Sequence, residues 1–414
     1  MRVMVLGAGV IGTSSAYYLA KSGHEVVVVD RRSRPALETS FANAGGICPG
    51  FAGPWAAPGM PTNIVRWLFT RHAPLVLRPR FDPHQWRWLI RFLRNCNAER
   101  FARNKARMQR IAHYSKACLK ELREDTGIAF DHGTGGVLQL FRTEEELAGA
   151  AKSTRVLAEF GVIRCQRRVG RGTALRAAAA DFAGGLHLPD DETGDGHKFT
   201  IALAELLHRR GVVFKFNTSV ERLRLEGARI AGVITDQGAL DADAYVVALG
   251  SAAARVLRPL GLDLPIYPVK GCSVTIDLDA NVPAPRSSVM DEHYKVMITR
   301  LGTRLRAAGV AELSGYDVSI RPSGPATVLR SLCELFPQAA IACKGGAPNA
   351  WAGLRPMTPD GPPYLGATGI ANLYVNVGQG SNGWTQACGC GRAVADIVSG
   401  RRPEIDLEGF GVDR

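Results

Sequence analysis

The chain has 414 residues, 46% hydrophobic and 21% charged, which suits a folded protein of two domains and excludes extended disorder. Its formal net charge of +13 favours anionic partners, but no zinc-finger or RNA-binding signature accompanies the charge, so no nucleic acid is expected. The nine cysteines show no metal-ligand spacing, which predicts that no metal is bound and suits a reducing cytoplasm.

The first thirty residues predict a complete βαβ unit. Residues 2–6 are typical of a buried parallel strand, residues 13–22 of a helix, and residues 25–29 of a second strand that ends at Asp30. Residues 3–20 are uncharged and about as long as a membrane span or a signal peptide's apolar region. The glycines within that stretch favour strand, turn and helix instead.

The turn of this unit has the spacing of a dinucleotide-binding motif. Gly7 permits the tight turn, Gly9 lets a pyrophosphate approach the backbone, and Gly12 lets the helix pack against the strand. The N–H groups at the helix start face the phosphates. Asp30 stands where an acid binds a ribose, which disfavours NADP but leaves NAD and FAD open.

Three later segments favour FAD over NAD. Residues 38–47 are rich in small residues that let a backbone lie against a flat ring, and residues 244–250 predict a strand that ends in a small-residue turn. Residues 372–377 predict another strand, and residues 378–385 open a second glycine-rich helix. A second helix start far from the first places a dipole at the other end of a long cofactor.

Several stretches carry a family resemblance: 37–59 (LETSFANAGGICPGFAGPWAAPG), 135–146 (GGVLQLFRTEEE), 188–195 (LPDDETGD), 267–271 (YPVKG), 353–361 (GLRPMTPDG) and 383–389 (GWTQACG). With them the chain resembles the D-amino acid oxidase superfamily of flavoproteins, most closely the small subunit of bacterial D-amino acid dehydrogenases. The resemblance implies non-covalent FAD and oxidation of a small D-amino acid to an imino acid by hydride transfer from Cα to flavin N5. Water then releases a 2-oxo acid and ammonia, and electrons pass to a quinone or another acceptor.

The resemblance also implies an α/β fold, in which a Rossmann-like FAD-binding domain is interleaved with an α+β substrate domain that carries an antiparallel sheet. We expect FAD-domain segments at 1–75, 185–262 and 349–414, and substrate-domain segments at 76–184 and 263–348. The expected cofactor-binding residues are Gly7, Ala8, Gly9, Val10, Ile11, Gly12, Asp30, Arg31, Ser40, Asn43, Ala44, Gly45, Gly46, Ile47, Val220, Gly250, Gly380, Ser381, Asn382, Gly383, Trp384 and Thr385.

Two residues are candidates for contact with the substrate. Arg355, in a Gly-x-Arg-Pro stretch, offers a planar fork that matches a carboxylate, although it could instead fix a loop through carbonyls or Asp360. Residues 293–298 predict a strand that crosses the substrate side of the flavin. Tyr294 at its start could bind the substrate, or it could be an ordinary core aromatic.

Two positions depart from the family pattern. Gln379 stands where His is usual, and Cys390 where Ser is usual. Both changes are expected near the flavin or the substrate sheet, and they leave substrate and acceptor open. The alternatives are an oxidase or dehydrogenase of glycine, sarcosine, D-proline or hydroxyproline, and a flavin-binding protein without turnover.

Residues 63–95 interleave tryptophan and phenylalanine with seven arginines. Within them, residues 85–93 have apolar positions at helical spacing, which suits either a helix on anionic lipid or a helix packed on the core with a solvated basic face. The sequence thus predicts a cytoplasmic protein, with peripheral attachment to the inner face of the cell membrane as the second hypothesis.

Overall fold

The computed structural model describes residues 1–150, 165–167, 182–278, 282, 284–285, 288–342 and 349–414. The helices in these ranges are α1 (Val10–Lys21), α2 (Met60–Leu68), α3 (Pro83–Asn95), α4 (Ala98–Thr126), α5 (Gly196–Arg209), α6 (Ala253–Leu257), α7 (Ser323–Leu335), α8 (Pro337–Ala342) and α9 (Gly383–Val398). The strands are β1 (Arg2–Leu6), β2 (Glu25–Val29), β3 (Gly46–Ile47), β4 (Leu75–Leu77), β5 (Val137–Phe141), β6 (Cys165–Arg167), β7 (Gly184–Leu188), β8 (Glu192–Thr193), β9 (Val213–Lys215), β10 (Val220–Glu226), β11 (Arg229–Thr235), β12 (Gly238–Leu240), β13 (Ala244–Val247), β14 (Tyr267–Asp277), β15 (Ser288–Asp291), β16 (Val296–Leu301), β17 (Arg304–Leu313), β18 (Asn349–Met357), β19 (Tyr364–Ala367) and β20 (Leu373–Val377).

A six-stranded sheet in the described ranges has the order β19-β20-β13-β1-β2-β9. All neighbours are parallel except β19 and β20. The strands β1, β2, β13 and β20 are apolar and almost wholly buried, as expected for a parallel sheet covered on both faces. Because they run in the same direction, the turns that follow them meet at one edge of the sheet. The predicted βαβ unit is confirmed.

Helices α1 and α9 pack together on one face of this sheet. A Cβ on Gly391 would stand 2.9 Å from the backbone carbon of Ser14, so the two helices approach at glycine and serine. Helix α1 ends at Lys21 and is followed by Gly23, whose φ of 84° is a left-handed conformation that glycine adopts without strain. The start of α1 is thereby fixed beside the start of α9.

The second sheet is mostly antiparallel and runs β18-β14-β17-β16-β15-β5-β7-β6, with β4 beside β17, within the described residues. Alternate residues of its strands face opposite sides. One side is covered by α7 and α8, where Val296, Ile298 and Val328 belong to a buried apolar cluster. The other side faces the carboxyl edge of the parallel sheet. The predicted combination of a Rossmann-like fold with an antiparallel sheet is confirmed.

Two strands of the second sheet, β18 and β7, fall at the expected limits between the FAD-domain and substrate-domain segments. Strand β18 pairs with β14 along Asn349–Met357, so these residues lie in the second sheet, although the sequence assigned them to the third FAD segment. Strand β7 crosses the expected limit at residue 184 in the same sheet. A separate antiparallel sheet contains β10, β11 and β12. The five-segment division stays a prediction.

The basic, aromatic segment contains the two helices α2 and α3. Asp82 caps α3 by accepting a hydrogen bond from the His84 N–H at 3.0 Å. One face of α3 is buried through Trp88 and Phe92, while Trp86 is 45% exposed. Over the described residues, no helix combines the length and the apolar character needed to cross a membrane.

Candidate active site

The turn between β1 and α1 is held by tight backbone contacts. Gly7 has a φ of 109°, and a Cβ there would stand 2.6 Å from the carbonyl oxygen of Ala248. A Cβ on Gly12 would overlap the Gly7 carbonyl oxygen. By contrast, a Cβ on Gly9 would meet only the Ser40 Oγ, at 3.4 Å. Gly7 and Gly12 therefore serve packing, and Gly9 faces open space.

Asp30 fixes the second side of this turn. Its carboxylate accepts hydrogen bonds from the Ala8 N–H at 2.7 Å and from the Arg32 N–H at 2.8 Å. Burial raises the pKa of Asp30, and the two N–H donors oppose that rise. The carboxylate still lines the adjacent cavity, and its oxygens have lone pairs left for a further donor.

The loop of residues 40–47 covers the first helix start. The Ser40 Oγ accepts a hydrogen bond from the Val10 N–H at 3.0 Å. The carbonyls of Asn43 and Ala44 accept hydrogen bonds from Arg306, at 3.2 Å, and from Thr299, at 2.7 Å. Since Thr299 and Arg306 belong to β16 and β17, the second sheet holds this loop over the start of α1.

The second glycine-rich helix start lies at the same edge. After β20, Gly378 has a φ of 85°, a single 3-10 turn runs Gly380–Asn382, and α9 begins at Gly383. The Thr385 hydroxyl accepts a hydrogen bond from the Cys48 N–H at 3.1 Å, which ties α9 to the loop beyond residue 47. Both helix starts thus face one space, as the sequence predicts.

That space is a cavity of about 970 Å³ between the parallel sheet's carboxyl edge and the second sheet. Its volume is at the upper end of the roughly 300–1,000 Å³ common for ligand sites. Of the predicted residues, the following line it: Gly7, Gly9, Val10, Ile11, Asp30, Arg31, Ser40, Asn43, Ala44, Gly45, Gly46, Val220, Gly250, Gly380, Ser381, Asn382, Gly383, Trp384, Thr385 and Arg355.

Arg355 enters the cavity from β18. It donates hydrogen bonds to the Val310 carbonyl at 2.9 Å and to the Gly309 carbonyl at 3.4 Å. Among the described residues no carboxylate lies within 4.0 Å of its guanidinium, and Asp360 instead pairs with Arg414 at 3.0 Å. Burial lowers the pKa of Arg355 to about 10, so the guanidinium is charged near neutral pH.

The strand that carries those carbonyls has an irregular backbone. Val310 has a φ of 55°, which is a strained conformation for a β-branched residue. The pairing of β14 with β17 is irregular between Lys270 and Cys272, beside this position. Such strain is found mainly at functional sites, where the surrounding structure maintains it. Here it accompanies two carbonyls that hold the half-buried Arg355 guanidinium.

Tyr294 is not in the cavity, which corrects its assignment as a substrate-binding residue. Strand β16 begins at Val296 and not at His293, because residues 292–295 form a turn. Tyr294 packs with Val296 in the cluster under α7, and the Arg142 guanidinium lies 4.7 Å from its ring centre. The positions that line the cavity are Lys295 and Met297, one residue out of step with Tyr294.

Three predicted cofactor residues lie behind the cavity wall. Ala8 is buried and donates its N–H to Asp30, Gly12 packs against Gly7, and Ile47 belongs to the core under α1. They do not line the described cavity, because each is turned into the packing that supports it. The expectation that these three residues contact the cofactor directly is therefore corrected: they support the wall of the cavity.

The comparisons with known proteins agree with this geometry. The family described as FAD dependent oxidoreductase matches residues 2–397. The chain belongs to the FAD-dependent oxidoreductase family. Over its whole length it is 51% identical to a D-amino acid dehydrogenase of Bradyrhizobium diazoefficiens, covering 99% of that protein. It is 52% identical to a D-amino acid dehydrogenase of Methylobacterium nodulans, over 99% of this chain and 98% of the other.

Solved structures of similar fold include glycine oxidase from Geobacillus kaustophilus, with a TM-score of 0.77, 24% identity, and 100% and 99% coverage of the two chains. L-proline dehydrogenase from P. horikoshii gives a TM-score of 0.74 at 20% identity, with 99% and 96% coverage. At these identities the likeness establishes the fold. The family match and the relatives at 51–52% identity show that the protein is an FAD-dependent oxidoreductase, which confirms the predicted cofactor and enzyme class.

The residues present fit FAD. The open side of Gly9 leaves room for a pyrophosphate, and the start of α1 supplies the positive end of a helix dipole. Asp30 directly follows β2, where a ribose would be bound, and the start of α9 at Gly383 offers a second dipole. The individual contacts to FAD stay a prediction.

The two departures from the family pattern contact each other. Gln379 is buried, lines the cavity, and donates a hydrogen bond to Asn376 at 2.6 Å. Burial raises the pKa of the Cys390 thiol to about 12, opposed by a hydrogen bond with Gln379. Gln379 is thus at the cavity, as expected, while Cys390 is one layer behind it.

The sequence reasoning missed a polar cluster in the cavity wall. Glu292 accepts hydrogen bonds from Gln139 at 2.8 Å and from the Lys295 ammonium at 2.6 Å, and all three residues line the cavity. The Lys295 side chain is 47% exposed, and the Glu292 carboxylate beside it raises the pKa of its ammonium. In the sequence this cluster is visible only as a charged turn, residues 292–295, between two apolar strands. Such a turn does not reveal which of its side chains point into the cavity.

Proposed function

We propose that this protein oxidises small D-amino acids to 2-oxo acids and ammonia, with the substrate carboxylate bound by Arg355. The observation that carries the proposal is a half-buried guanidinium in the cavity with carbonyl partners and, among the described residues, no carboxylate partner. A charge that is partly withdrawn from water gains from an opposite charge, so the site favours an anionic ligand. The relatives at 51–52% identity, both D-amino acid dehydrogenases, support the D configuration.

Arg355 would orient the substrate rather than exchange protons with it. Its guanidinium is fixed by two carbonyls of β17, so a carboxylate bound to its free edge is held in one position. FAD, when bound, supplies the acceptor for the two electrons and the hydrogen removed from Cα. The surrounding wall includes Met290 and Met297, which limit water around the substrate. Positioning of this kind contributes much of the rate in flavoenzymes.

Anaerobic mixing with amino acids tests this proposal. We expect D-amino acids to bleach the flavin absorbance and the matching L-amino acids to leave it unchanged. Bleaching by glycine, sarcosine or D-proline alone would favour the alternative substrates, and no bleaching by any amine would favour a flavin-binding protein without turnover. Peroxide yield under air separates an oxidase from a dehydrogenase.

We further propose that the electron acceptor is a membrane quinone and that the protein binds an anionic lipid surface through α2 and α3. This surface, called the α2–α3 surface below, combines exposed apolar and basic side chains: Val65, Leu68, Phe69, Trp86, Ile90, Leu93, Arg66, Arg71, Arg87, Arg91 and Arg94. Such a combination is typical of interfacial helices. Ile64 and Trp67 of α2 and Leu89 of α3 line the cavity, so an apolar acceptor in the bilayer would meet one wall of the site.

A further inference from the structure

The cavity contains an ion pair in the wall formed by β5, β15 and the turn before β16. Lys295 donates to one Glu292 oxygen at 2.6 Å, and Gln139 donates to the other at 2.8 Å. Met290 and Met297 line the same part of the cavity and are paired across β15 and β16. A charged pair is therefore presented to a ligand beside two methionines.

This ion pair lies close to the carboxylate-binding end. Arg355 donates to the Gly309 carbonyl at 3.4 Å, and a Cβ on Gly309 would stand 2.9 Å from the Lys295 carbonyl oxygen. Gly309 of β17 thus lies between the Arg355 guanidinium and the turn that carries Lys295. A substrate held by its carboxylate at Arg355 can direct a side chain of a few atoms toward that turn.

The charges at this end restrict the side chain that fits. Lys295 has donors beyond the one given to Glu292, and the Glu292 oxygens have further lone pairs. Glu146 also lines the cavity. A carboxylate side chain would meet two glutamates beside the one cation Lys295, and an ammonium would compete with Lys295 for Glu292, while Glu146 already has His293 as a partner. An aliphatic chain would desolvate the pair without replacing its water. A carboxamide supplies one acceptor and two donors without net charge.

We propose that Gln139, Glu292 and Lys295 form a side-chain subsite that selects D-amino acids ending in a carboxamide. The proposal rests on the proposed oxidation of D-amino acids at this cavity. The amide oxygen accepts from the Lys295 ammonium, and the amide nitrogen donates to a carboxylate of Glu292 or Glu146. Hydrogen bonds to charged groups correspond to about a 10- to 100-fold preference over an apolar side chain of the same shape.

Anaerobic stopped-flow flavin reduction with the holoenzyme tests this subsite. D-asparagine, D-leucine and D-aspartate have nearly the same shape and differ in polarity and charge. We expect D-asparagine to exceed both others in the second-order rate of reduction by about 10-fold or more. D-alanine is the reference for the proposed function: if it fails to reduce the wild-type flavin, the oxidation itself is wrong.

The variants Lys295→Met and Lys295→Met/Glu292→Gln separate the subsite from the rest of the cavity. The double variant leaves the net charge of the wall unchanged, so it remains informative if the single variant leaves Glu292 unpaired and does not fold. In both we expect the ratio of D-asparagine to D-leucine to fall toward one. Lys120→Met, which removes an exposed ion pair with Glu124 on α4, should keep the wild-type ratio. If D-alanine reduces the flavin but the ratio is near one in the wild type, or survives in the double variant, the subsite is wrong.

Discussion

The guanidinium of Arg355 lies across Gly271: a Cβ on Gly271 would stand 2.5 Å from the guanidinium carbon. Arg355 and Val269 are direct partners on β18 and β14, so the side chain runs over β14 to reach the Val310 carbonyl on β17. The absence of a side chain at residue 271 is therefore a condition for the position of the cation.

Gly271→Ala should weaken substrate binding without unfolding the protein. The added methyl group would displace the end of a flexible side chain, which costs little in folding, but it would move the guanidinium off its two carbonyls. We expect an increase in KM for D-amino acids, normal FAD content and an unchanged thermal midpoint. Steady-state kinetics and thermal unfolding measure these together, and a normal KM would show that the guanidinium's position is not limiting.

Arg355→Ala should lower kcat/KM by an amount equivalent to roughly 2–5 kcal/mol. Arg355→Lys should recover only part of the loss, because an ammonium cannot present a planar fork. FAD content should stay near that of the wild type. An amine that lacks the carboxylate should react poorly with the wild type and respond little to either change. If that amine is affected as strongly as the amino acid, Arg355 supports the fold or the flavin.

Much of this site could be predicted from sequence because its signals are local. The spacing of Gly7, Gly9 and Gly12 between two apolar runs needs no knowledge of the rest of the chain. The prediction that Tyr294 contacts the substrate is wrong because the strand begins at residue 296 and not at 293. Inward and outward side chains alternate along a strand, so this displacement changes which side chains enter the cavity. The role of Gly271 depends on a side chain 84 residues away, which no local pattern contains.

Gly9→Ala should raise the dissociation constant for FAD about 10-fold or more, because the methyl group would occupy the space left for the pyrophosphate. In the protein itself the new Cβ meets only the Ser40 Oγ, at 3.4 Å. Gly324→Ala is a matched control, since its Cβ would meet Cys272 at 3.5 Å and residue 324 does not line the cavity. Fluorescence titration of the apoprotein with FAD measures both, and equal affinities would argue against the predicted phosphate position.

The α2–α3 surface should bind anionic vesicles in a salt-dependent way. We expect co-sedimentation at low salt that declines near 1 M, where the screening length is about 3 Å. Leu68→Ser/Phe69→Ser should reduce binding, because these side chains are 55% and 86% exposed. Leu225→Ser, at an exposed position of β10, should bind as the wild type does. A protein that stays in solution at low salt contradicts membrane attachment by this surface.

Asp195→Asn should destabilise the protein by roughly 3–5 kcal/mol, because Arg304 and Arg306 would lose a buried partner. Burial raises the pKa of Asp195, but Arg306, the Lys198 N–H and Arg304 lower it more, so the net shift is downward. A lowered folded pKa gives stability that is present above the unfolded value of about 3.9 and is lost as pH falls through the folded value.

Denaturant unfolding of both proteins between pH 7 and pH 3 measures this effect. We expect a constant difference in unfolding free energy from pH 7 to pH 5, and a smaller difference in more acidic solution. Asparagine can still cap α5, so the helix start itself should survive. A difference that does not change with pH would assign the loss to packing rather than to charge.

The carboxyl edge where β1, β2, β13 and β20 end has a consequence for biosynthesis. Its turns come from the beginning, the middle and the last tenth of the chain, at residues 7, 30, 248 and 378. A nascent chain can pair β1 with β2 early, but α9 is made more than 350 residues later. Since long-range pairing is slow and domains otherwise fold as they emerge, the crevice becomes competent for FAD only after α9 has been made. Loss of the final forty residues would therefore produce a colourless protein, however well its first half folded.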